Sequence, residues 1–260
     1  MTQPFDEKVF SEEIEMKIDN LYDKWMSLGI GMNGKHIVND LDLEQTIAET
    51  TQTGKYESRL VWAMLTWLIA HGDLINVSRM MHFINEADDA VLGAVLEMAV
   101  KNGADKKLLH IVEKCKPHKP LEVLFKRMRK YAFSYQQELE SSKEEWSKWG
   151  YYCSEISFYF DAMTGDRNFI FSRNKNLAIR AIFGTNLRSE IIYFLYKNSN
   201  AYIKAIADAT GFAYFPVHNE IKNLVRNGIL NSISYGRVNV ISLNKTMFDF
   251  LQKAPLFIGS

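Results

Sequence analysis

Between Leu187 and Ile241 the apolar residues repeat at a helical spacing three times and then at a strand spacing, and no other stretch constrains the chain as tightly. Leu187, Ile191, Ile192 and Leu195 make one helical stripe, with Arg188 and Lys197 outside it. Ile203, Ile206 and Ala207 make a second over 201–210, for which Ser199 or Asn200 is the expected cap, and Gly211 supplies the turn. Val217, Ile221 and Leu224, at i, i+4 and i+7, predict a third helix starting near Tyr214. Pro216 suits its first turn, where a missing amide breaks no intrahelical bond. After Asn227-Gly228 the period drops to two. Ile233, Tyr235 and Val238, Val240 flank Gly236-Arg237, the pattern of a hairpin with a glycine-containing turn, and residues 244–251 close with a short helix.

The face of the third helix opposite its apolar stripe carries Tyr214, His218, Asn219, Lys222 and Arg226, with Phe215 at the leading end. Asn219 has the donor and acceptor pair that fits adenine, Lys222 fits guanine or phosphate, and His218 fits either. Arg237 at the hairpin tip suits a phosphate or a narrow minor groove. Arg188, Lys204 and Tyr235 complete the candidate contacts to DNA.

The segments FGTNLRSEIIYFLY, IKAIADATGF and VHNEIKNLVRNGIL, followed by the hairpin, resemble the winged helix-turn-helix regulators of the ArsR and MarR type over about 70 residues. The resemblance implies a dimeric regulator of transcription whose third helix and wing contact double-stranded DNA. The pattern departs at Ala213-Tyr214-Phe215-Pro216, where such regulators usually place small hydroxyl residues. Two adjacent aromatics there suit a second reading, a winged-helix adaptor that binds protein through Tyr214 and Phe215 without direct DNA readout.

Charge favours the first reading. The chain is neutral overall, but residues 1–100 hold 7 Lys/Arg and 17 Asp/Glu, whereas residues 101–260 hold 24 and 14. Residues 173–260 alone hold 11 basic and 4 acidic residues, a balance suited to a polyanion. A second basic run, ten Lys/Arg against three acids between Lys101 and Lys130, fits either a phosphate-facing surface or the solvated side of amphipathic helices.

The rest predicts a mostly α chain, an N-terminal helical bundle ahead of the winged helix-turn-helix with its small β-hairpin. Val9, Ile14, Ile18, Leu21, Trp25 and Leu28 form one stripe, and residues 35–55 read as a loop with a short helix around Leu41–Glu49. Residues 56–114 are helical with breaks at HGD, EADD and NGAD, where Asp73, Asp88 and Asp105 are the expected N-cap or first-turn carboxylates. The run VWAMLTWLIA, 61–70, is too short to span a bilayer and reads as a core helix. Trp146, Trp149, Tyr151, Tyr152, Phe158 and Tyr159 predict a buried helix between Ser141 and Tyr159 that packs the first domain or pairs with a second subunit. The domains are placed at 1–161 for dimerisation, partner or ligand contacts, 162–180 as a linker, and 181–260 as the DNA-binding domain.

Two cysteines, Cys115 and Cys153, cannot make a disulfide framework, and Met1 is not followed by a basic and then apolar leader. A cytoplasmic protein, without membrane contact, is expected. His110, Cys115 and His118 lack a nearby fourth ligand, and His71 and His82 read as ordinary helix residues. No enzyme motif occurs, so no catalytic residue, metal or cofactor is assigned. Trp62, Met64, Trp67, Met80, Met81 and Phe83 read as core rather than a ligand pocket.

Overall fold

A computed structural model describes residues 12–125, 140, 142–153, 164–236 and 238–253. The chain is mostly helical, with a small three-stranded antiparallel sheet near the C-terminus. It divides into two compact units, 1–165 and 166–260.

The described elements of the first unit are α1 (Glu12–Ser27), α2 (Leu43–Thr53), α3 (Ser58–His71), α4 (Val77–Phe83), α5 (Asp89–Lys101), α6 (Leu109–Val112), β1 (Glu122–Val123), α7 (Glu144–Ser147) and β2 (Tyr151–Tyr152). The run from Leu60 to Leu68 in α3 is buried throughout, because a helix apolar on every side is stable only inside a bundle. Trp62, Met64 and Trp67 of α3 and Met80 of α4 are buried as core, whereas Met81 and Phe83 are half-buried. Helix α2 is longer than its polar sequence suggests, because its threonines serve as buried hydrogen-bonding groups. Thr50 accepts from the Trp25 indole at 3.0 Å, and Thr51 accepts from the Asp88 amide at 2.8 Å. Asp88 caps α5 and Asp105 caps the single turn 106–108. Asp73 is the first-turn carboxylate of a short 3-10 turn, Gly72–Leu74, and Asn76 caps α4.

The aromatic segment is not one helix. Its described part, 142–153, is the short α7, a turn at Gly150 and strand β2, which pairs in parallel with β1. Gly150 has φ +89°, and a Cβ there would stand 2.1 Å from the His118 carbonyl oxygen, so only glycine lets the chain turn. Trp146, Trp149 and Tyr151 are nevertheless buried within this unit. The Trp149 ring covers Gly93, whose added Cβ would meet it at 2.4 Å, and its indole donates to Glu97 at 2.8 Å. Phe158 and Tyr159 lie outside the described residues.

The second unit begins earlier than the sequence suggests. From Asp166 onward the stretch 162–180, expected as a linker, is occupied by two capped helices, α8 (Arg167–Arg173) and α9 (Lys175–Phe183). Asp166 and Asn174 cap them, and Ile170, Phe171, Leu177 and Ile179 are buried. The segment reads as polar because Asn174, Asn176 and Arg180 are themselves buried. Then follow α10 (Leu187–Asn198), β3 (Asn200–Tyr202), α11 (Ile203–Thr210), α12 (Tyr214–Arg226), β4 (Leu230–Tyr235), β5 (Val238–Leu243) and α13 (Lys245–Lys253).

Strand β5 lies in the middle of the antiparallel sheet, between β3 and β4. The residues that define the helical stripes form one core: Ile191, Ile192, Leu195, Ile206, Val217, Ile221 and Leu224 pack with Leu230, Ile241 and Leu243 of the sheet. Neither Ser199 nor Asn200 caps α11. Asn200–Tyr202 is a strand paired with β5, and α11 starts at Ile203 without a side-chain cap. Gly211, in the left-handed conformation at φ +76°, ends α11 as expected and sets up α12.

Candidate nucleic-acid interface

Helix α12 follows Ala213, whose extended backbone turns the chain but whose methyl group caps no amide. Its first turn contains no acidic residue, so no carboxylate there offsets the positive end of the helix dipole. Val217, Ile221 and Leu224 are buried and hold the helix down. On the opposite side Phe215, Asn219, Lys222 and Arg226, spaced by four, three and four residues, are all exposed. The stripe therefore runs from an apolar ring through an amide to two cations.

Phe215 is 71% exposed and Tyr214 53%. Tyr214 stacks on His218, ring centroids 5.8 Å apart and planes 14° from parallel. His218 lies on the expected face and is half-exposed there. Phe215, in the adjacent position, projects from the stripe.

Arg188 on α10 is held beside α12: its Nε donates to Oε1 of Glu220 at 2.7 Å. Expected as an outward contact to DNA, it is half-buried and partnered by the one acid of α12. Lys204 projects from α11 with its side chain 80% exposed, 3.5 Å from Asp208. Deeper in the unit, Arg180 of α9 and Glu190 of α10 form an ion pair with side chains 0% and 4% exposed. Arg180 is thus a structural cation and adds nothing to the surface charge.

Arg237 and the side chain of Tyr235 lie outside the described residues. The hairpin around them pairs Ile233 with Val240 and the Tyr235 backbone with Val238, and Val240 also pairs with Tyr202. Tyr202, Ile233 and Val240 therefore share the sheet face opposite the core, and Tyr202 and Ile233 are more than half exposed. Leu230, Ile241 and Leu243 supply the buried face.

Glu220 and Tyr202 are the neighbours of the site that the sequence did not single out. Glu220 acquires meaning only from Arg188, 32 positions away, and Tyr202 only from a strand of three residues. Among the described residues no group of three or more His, Cys, Asp or Glu is placed to hold a metal ion. His71 is buried against Trp67, with ring centroids 5.3 Å apart, and burial pushes the Cys115 thiol up to about 12. No helix among the described residues is long and apolar enough to cross a membrane. No protein-family model matches the chain, and comparison with curated proteins and with solved structures returned no match.

Proposed function

We propose that residues 166–260 form a winged helix-turn-helix that binds double-stranded DNA, and that the protein is a cytoplasmic, homodimeric regulator of transcription without enzymatic activity. The observation that carries this reading is the exposed stripe Phe215, Asn219, Lys222 and Arg226, opposite the buried face of a helix with an acid-free leading turn. In a helix-turn-helix the leading part of this helix meets base edges in the major groove. Asn219 then discriminates bases, while Lys222, Arg226, Lys204 and Arg237 engage phosphates. The first unit serves dimerisation or partner contacts.

Titration of the whole chain against mixed-sequence duplex tests the reading. Lys222→Ala and Arg237→Ala weaken binding to every duplex and flatten its salt dependence by about one unit of slope each, whereas Asn219→Ala changes preference between sequences. One observation favours a protein-binding adaptor instead: Phe215, at 71% exposure, has the size and position of an interface anchor. A chain with no affinity for duplex at low salt, and a stoichiometric protein partner lost on Phe215→Ser, selects that reading.

A further inference from the structure

We propose that Phe215 recognises the C5 methyl group of a pyrimidine in the major groove, an inference that rests on the DNA reading above. The leading end of α12 is exposed and uncharged from Ala213 through Pro216. A cation or amide at that point would seek phosphates or hydrogen-bonding edges. A phenyl ring can do neither. The one apolar feature on the major-groove edge of an ordinary base pair is the thymine methyl, and 5-methylcytosine presents the same group.

The surroundings hold Phe215 to this role. Tyr214 stacks on His218, ring centroids 5.8 Å apart, and Phe215 is the more exposed of the two adjacent aromatics. Asn219 follows one turn behind it on the same stripe, and Lys222 and Arg226 continue toward the trailing end. This order provides a cationic hold on the backbone behind an apolar contact at the base edges. One helical turn rises about 5.4 Å, so the methyl lies within about two base pairs of the position that Asn219 discriminates.

The test begins with a duplex selected from a random-sequence pool by the full-length protein. Each thymine of that duplex is then replaced by uracil, which deletes only the methyl, and a separate set replaces cytosines by 5-methylcytosine. For the wild-type chain at least one uracil substitution weakens binding, or at least one 5-methylcytosine substitution tightens it, about fourfold, the effect of one buried methyl-sized group. Phe215→Ser, checked for folding by thermal melting, binds the thymine and uracil duplexes equally. Lys222→Ala weakens both and keeps their ratio. If the sensitive position is a cytosine, the 5-methylcytosine duplex binds more tightly and identifies methylated DNA as the source of the methyl. Wild-type binding that ignores every methyl, or a Phe215→Ser variant that keeps the wild-type ratio, overturns this inference alone. Failure of the protein to retain any duplex overturns the DNA reading and this inference with it.

Discussion

Arg188 and Glu220 are joined at 2.7 Å, so a cation expected to face DNA is neutralised by an acid on the helix that would enter the groove. The pair fixes α10 against α12 and lowers the positive potential beside the stripe. Glu220→Gln removes the acid and releases the guanidinium. The expected result is tighter, less selective binding to all duplexes, about threefold to tenfold at low salt, with a salt slope steeper by about one. Fluorescence anisotropy over a salt series checks it. Weaker binding by Glu220→Gln would mean that Arg188 acts only as oriented by its acid partner.

The Arg180–Glu190 pair is a matter of stability rather than binding. Both side chains are buried, and Arg180 donates from Nε and from a terminal nitrogen to the same Glu190 oxygen, at 2.9 and 2.8 Å. Removing one partner takes the countercharge from a buried ion, so Glu190→Ala costs about 3–5 kcal/mol by urea unfolding of this unit. Replacing both together, Arg180→Met with Glu190→Leu, recovers most of that loss. If the single and double variants were equally unstable, packing rather than charge would be the cause.

Asp88 ties the first unit to pH. Burial by itself would raise its carboxyl, but hydrogen bonds from Lys55, the Val91 amide and Tyr151, with the Lys55 charge, overcome burial and hold it below the ordinary carboxylate range. A depressed folded value gives stability that is fully present above the ordinary carboxylate value. That stability is lost as pH falls from the ordinary value through the lower folded one. Asp88→Ala therefore lowers the melting stability at neutral pH by about 1–2 kcal/mol and flattens the acid limb of the stability profile. A variant with an unchanged acid limb would place the pH dependence elsewhere.

Gly93 and Trp149 make a close contact that admits no side chain between them. Gly93→Ala sets a methyl into the Trp149 ring and displaces the indole from Glu97. A loss of about 1–3 kcal/mol is expected, with a red-shifted, more quenchable tryptophan emission as the check.

Helices α10, α11 and α12 and the hairpin were legible because each is marked by its own short-range pattern: Val217, Ile221 and Leu224 on one face, or Ile233 and Val240 paired across the hairpin. Strand β3 was not, because three residues carry no period and its partner lies some forty positions downstream. The helices α8 and α9 were hidden by buried polar residues, above all Arg180, which looks like surface until Glu190 is placed beside it. The same limit applied to the site. The exposed stripe follows from spacing alone, but the pairing of Arg188 with Glu220 and the stack of Tyr214 on His218 depend on side-chain geometry. The aromatic segment failed as a helix for a local reason, the positive φ at Gly150.

The most direct test of the central claim is a titration of the full-length chain against a mixed-sequence duplex at low ionic strength, repeated with Lys222→Ala and Arg226→Ala. The DNA-binding account predicts saturable binding that falls linearly with salt on logarithmic axes, each variant reducing the slope by about one. Absence of binding at the lowest salt, or binding whose salt slope neither variant changes, would contradict it.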